Sequence, residues 1–126
     1  MTAVVTMERL EPASDDVALD LEHLTRMTLG DRSLEREVLA LFSRQADMLL
    51  QRMDVRNPAV AVACAHTLKG SALGIGAHRV ARSAAAIERA DLAGLAAAIA
   101  ALSMAVAEAK AAVADIQAAR HHPVAA

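Results

Sequence analysis

An all-α fold is predicted by three features of this 126-residue sequence. Alanine is abundant beside only five glycines and three prolines, apolar residues recur three and four apart over long stretches, and no alternating Val/Ile/Thr-rich run is present. The architecture expected is an antiparallel up-down four-helix bundle with an additional short N-terminal helix. The length fits one domain with a real core, too short for a nucleotide-binding enzyme plus a second module.

Residues 1–13 carry no period and close on Glu11-Pro12, so a flexible arm is expected there, with the bundle domain over 14–119 and a loose tail over 120–126. Ser14 or Asp20 can cap the first helix, which has Val17, Leu21, Leu24 and Met27 on one side and stops at Gly30, a left-handed C-terminal cap. Asp31 caps the second, whose core stripe is read as Leu34, Val38, Leu41, Phe42, Leu49 and Met53. Asn57-Pro58 opens the third, Asn as N-cap and Pro in the first turn, and this helix runs to about Ile75 between Gly74 and Gly76. The fourth covers Ala77 to Ala90 with Val80, Ala84 and Ile87 aligned. The fifth carries an unbroken seam of Leu92, Leu95, Ile99, Leu102, Val106, Ala109, Val113 and Ile116, and its length leaves room for the end after Lys110 to overhang the bundle. Short links make consecutive helices antiparallel neighbours.

Composition removes several classes of function. A formal net charge of -2 with one Phe and no Tyr or Trp offers nucleic acid neither an electrostatic surface nor a stacking platform. Without 18 uninterrupted apolar residues a membrane span is excluded, and a start lacking a secretory signal together with the single Cys64 favours the cytoplasm. Cys64 falls on the core side of the third helix and reads as a small buried hydrophobe; the methionines read as core filler. His23, His78, His121 and His122 have no ligand-type residue at helical metal spacing, so no metal site is expected.

The segment that carries chemistry is Ala65-His66-Thr67-Leu68-Lys69-Gly70-Ser71. Val60, Cys64, Thr67, Leu68, Ser71 and Ile75 form the buried stripe, and His66 lies roughly 150 degrees from its centre, facing solvent. Its own face bears Ala59, Val62, Ala63, Gly70 and Leu73, a shallow apolar frame suited to docking another protein. Gly70 costs about 1 kcal/mol in a helix interior, and clearance around the ring is a reason for it. Lys69 places an ammonium near anything held on the imidazole.

With Gly76, these residues make His-x-x-Lys-Gly and a further Gly ten after the His, and in this the sequence resembles the histidine phosphotransfer (HPt) domains of multistep phosphorelays. The likeness extends over about 17–105, through Asp20, Leu24, Gly30-Asp31, Leu34, Val38, Phe42 and Leu49. It implies that His66 is phosphorylated, that Lys69 and Gly70 assist, and that Glu88 on the fourth helix approaches the other ring nitrogen. It implies response-regulator receiver domains and a hybrid histidine kinase as partners, Val62, His66, Gly70 and Leu73 being the docking face, with magnesium held by the receiver and no cofactor here. Lacking a nucleotide loop, a catalytic-loop signature and an acidic cluster for magnesium, the chain reads as a phosphocarrier and not an enzyme. A monomer is expected, an oligomer through the last helix being the alternative. The rival readings are a helical adaptor that does not need His66 and a detached phosphoacceptor domain loaded directly by a kinase.

Overall fold

A computed structural model describes residues 17–121, and within them five helices and no strand. They are α1 (Leu21–Met27), α2 (Arg32–Arg52), α3 (Pro58–Ile75), α4 (His78–Arg89) and α5 (Leu92–His121). The arm 1–13, the alternative cap Ser14 and residues 122–126 lie outside the described residues. Contacts run in a closed ring, α2 to α3, α3 to α4, α4 to α5 and α5 back to α2, while α1 packs on α3.

Local chemistry sets the ends. The Asp20 carboxylate accepts the His23 N–H at 3.1 Å to start α1. At the other end the left-handed turn begins one residue earlier than expected. Leu29 itself takes φ 55, Gly30 follows at φ 77, and the Gly30 N–H reaches back to the Thr25 carbonyl at 3.0 Å. Asp31 accepts from Ser33 and Leu34, and Asp91 from Gly94, opening α2 and α5. Between α2 and α3, Arg56 folds back on Asp54 and holds that carboxyl at about 2. Asn57 stands at the N-cap of α3, but its side chain makes no capping bond; only its carbonyl joins the helix, while Pro58 needs no N–H partner.

The core is a continuous cluster in which Leu24, Leu39, Leu68, Ile87 and Leu102 are fully buried, each burial stabilising by about 2 kcal/mol. Alanines do much of the remaining work: Ala46, Ala61, Ala65, Ala72 and Ala84 are fully buried and let helices approach closely. Several expected core positions are corrected. Val17, Leu21 and Met27 are exposed, leaving Leu24 as the anchor of α1. In α2 the buried set is Glu35, Leu39, Phe42, Ala46 and Leu49, with Met53 buried at the C-cap, while Leu34 and Leu41 face outward. In α3 it is Ala61, Cys64, Ala65, Leu68, Ala72 and Ile75, with Thr67 exposed. Of the described methionines only Met53 is buried.

The seam of α5 packs as its spacing predicts, apart from Leu92, which is exposed in the first turn. Its end does not overhang: Val113 is buried, Ile116 packs on the core, and Arg120 grips Glu35 of α2. Arg120 and His121, expected in a loose tail, complete the helix. The span Leu92–Arg120 also has the length and the mean hydropathy, 1.9, of a membrane-crossing helix, contrary to the exclusion drawn from uninterrupted runs. Here Leu95, Leu102, Val106 and Val113 are buried in the bundle, Leu92 and Met104 are exposed, and much of the remaining outward surface is alanine.

Candidate functional site

The buried stripe of α3 is rotated by about 60 degrees from the one expected, because alanines rather than Thr67 and Ser71 form the close contact. His66 remains outside, its side chain 71% exposed, and the rotation turns Lys69 toward α4. Ala59, Val62, Ala63, Gly70 and Leu73 share the exposed side of α3 with it. A Cβ added at Gly70 would meet nothing within 4 Å, so the glycine leaves open space beside the ring without being required by any neighbour.

The register of α4 brings the third group. Val80, Ala81, Ala84 and Ile87 point inward, which sets Glu88 at the boundary facing α3. There Glu88 Oε2 lies 2.8 Å from His66 Nδ1, and Glu88 Oε1 accepts a hydrogen bond from Lys69 Nζ at 2.7 Å. One carboxylate thus joins the two residues that the sequence sets three apart. Lys69 first, and His66 second, hold the Glu88 carboxyl below the ordinary range against the cost of its desolvation. An ionised carboxylate only accepts, so the shared proton belongs to Nδ1, and in the neutral ring Nε2 keeps its lone pair directed to solvent.

Two clefts flank this line of α3. One, of about 620 Å³, is walled by Leu41, Arg44, Gln45, Met48 and Ser71, with Ser71 Oγ donating to Gln45 at 2.6 Å. The other, about 300 Å³, lies over Lys69, Leu73, His78, Ala81, Arg82 and Ala85. The α2 wall was missed by the sequence reading, which buried Leu41; the seven-residue spacing of Leu34, Leu41 and Met48 was the signal for it. Cys64 is buried and the other described histidines stand apart from His66: His23 and His78 meet edge to face at the α1 end, where His23 Nε2 lies 3.1 Å from the Gly74 carbonyl. Among the described residues no three His, Cys, Asp or Glu could hold a metal ion.

Against known families, the model described as Hpt domain matches residues 37–119, well over half of the chain and including His66, Lys69, Gly70 and Glu88. No individual curated protein and no solved structure matches it.

Proposed function

This chain belongs to the Hpt domain family, whose members serve histidine phosphotransfer in phosphorelays, and we propose from that premise that it carries a phosphoryl group reversibly on His66 between aspartates of response-regulator receiver domains. Hpt domains are phosphocarrier modules that work with histidine kinases and receivers. The observation that carries the assignment is the chain of contacts from Lys69 through Glu88 to Nδ1 of an exposed imidazole. It orients the ring and leaves Nε2 as the nucleophile.

In the transfer, Nε2 attacks phosphorus in line, the N–P bond forms as the bond to the aspartyl oxygen breaks, and the aspartate leaves as a carboxylate. The Nδ1 proton stays on the ring, where Glu88 offsets the positive charge that the imidazole acquires. The receiver supplies magnesium and its acidic pocket, so this chain needs no cofactor of its own. Transfer to a second receiver is the same step reversed. The docking face we infer combines Ala59, Val62, Ala63 and Leu73 of α3 with the exposed Leu41 and Met48 of α2. We read the four longer helices as an antiparallel up-down bundle, working as a cytoplasmic monomer. The short links and the pairing of Gln45 with Ser71 and Asp47 with Lys110 support that arrangement.

The test is incubation with phosphorylated receivers and, separately, with a histidine kinase lacking any receiver. We expect an acid-labile, base-stable phosphate delivered by a receiver to the wild type and none on His66→Gln. Because the ring is exposed, that variant should melt within about 0.5 kcal/mol of wild type. A folded His66→Gln protein that still takes phosphate overturns the assignment, and labelling by the kinase alone favours the kinase-fed reading.

A further inference from the structure

The end of the bundle where α2 begins and α5 finishes holds a charge arrangement that the phosphotransfer site does not use. Glu35 is buried, its side chain 2% exposed, and is held by Arg120 through Nε and Nη2 and by Arg32 through Nη1 at 3.2 Å. Two guanidinium groups on one carboxylate leave a net positive charge. Arg36, one turn beyond Arg32, adds another and makes no hydrogen bond or ion pair with any described residue. Arg32, Arg36, Arg120 and Gln117 line a recess of about 380 Å³ with Glu35 at its floor. Three other acids are near in sequence and none of them lines the recess: the Asp31 carboxylate caps the Ser33 and Leu34 N–H groups, Glu37 is about 100 degrees around α2 from Arg36, and Asp115 is about 140 degrees around α5 from Arg120.

We propose that this recess is a binding site for a small phosphate-type oxyanion, separate from His66. Guanidinium forks match the tetrahedral oxyanion in geometry, and Gln117 supplies a neutral amide donor. Glu35 offsets one of the three arginine charges and leaves two, and its oxygens face Arg120 and Arg32, whose remaining N–H groups can turn to the recess. The concave shape favours a small ligand over a flat protein surface. The recess lies on the order of 20 Å from His66, since Gln45, which meets Ser71, is already ten residues along α2 from Glu35.

The probe is inorganic phosphate at pH 7.5, titrated at constant ionic strength against chloride and followed by backbone amide shifts. Saturable shifts are expected at residues 32–36 and 117–120, unchanged in His66→Gln and about tenfold weaker in binding for Arg36→Ala. Arg36 is exposed, so that variant folds. Shifts that never saturate, that are equal in Arg36→Ala, or that cluster near His66 and vanish in His66→Gln overturn the proposal.

Discussion

At the scale of a single side chain, Glu88 decides which ring nitrogen of His66 is free, and Lys69 decides the state of Glu88. The lowered carboxyl pKa of Glu88 has the Lys69 hydrogen bond as its largest cause. Because the folded value lies below the ordinary one of 4.5, its contribution to stability is fully present above pH 4.5. It is lost as pH falls through the lowered value. In Lys69→Ala the carboxyl should titrate closer to its ordinary range, while Lys69→Arg should keep most of the depression. Phosphotransfer from one saturating receiver should fall about tenfold in the alanine variant, a barrier raised by roughly 1.4 kcal/mol, and less in the arginine variant. Carboxyl NMR titration of Glu88 beside the transfer rate checks both; an unmoved Glu88 and equal rates mean that Lys69 is a solvated charge. His66 and Lys69 were legible as a spaced pair in one helix. Glu88 was not, since nothing local tells a glutamate on α4 that it faces α3, and only the family likeness pointed to it.

At the scale of an element, α2 explains why a correct helix received a wrong face. Two heptad phases run along it: Glu35, Leu39, Phe42, Ala46 and Leu49 turn inward, and Leu34, Val38, Leu41, Gln45 and Met48, each one residue earlier, lie toward or at the surface. Both satisfy the 3.6 period, and the stripe inferred from sequence mixed them because it weighted large apolar residues and passed over a glutamate and an alanine. Gly70 inside α3 and Gly76 at its C-cap differ in the same instructive way. Gly76 sits at φ 85 with the Asp20 carbonyl 3.0 Å from where a Cβ would stand, so α1 and the helix turn both require it. Gly70 meets no such limit. Gly70→Ala should therefore stabilise the fold by up to about 1 kcal/mol with transfer nearly unchanged, whereas Gly70→Leu should keep the stability and slow transfer by filling the space beside the ring. Urea unfolding and transfer rates for the two variants separate helix propensity from clearance; a Leu variant of normal rate would remove the clearance argument.

At the scale of the molecule, the side-chain hydrogen bond that spans the most sequence among the described residues is also one that holds a buried charge. Arg120 reaches Glu35 across 85 residues and fastens the end of α5 to the start of α2. Arg120→Ala should cost about 3 kcal/mol, because it leaves a buried carboxylate with Arg32 alone, while Glu35→Met with Arg120→Leu should be close to neutral. Denaturant midpoints of the single and double variants test this, and a single variant as stable as the double would mean that Glu35 is not held by Arg120.

The sequence by itself determined the all-α class, five helices close to their observed bounds, the buried line of α4, the seam of α5 and the exposure of His66. These rest on information that is local in the chain: propensity, caps such as Asp20 and Asp31, and periodicity strong enough to leave one phase. Tertiary structure alone decided the rotation of α3, the choice between the two phases of α2, the meeting of Lys69, Glu88 and His66, and the burial of Glu35 under Arg120. Each depends on which neighbour an alanine lets close and which distant partner satisfies a charge, and neither is written in the spacing of one helix.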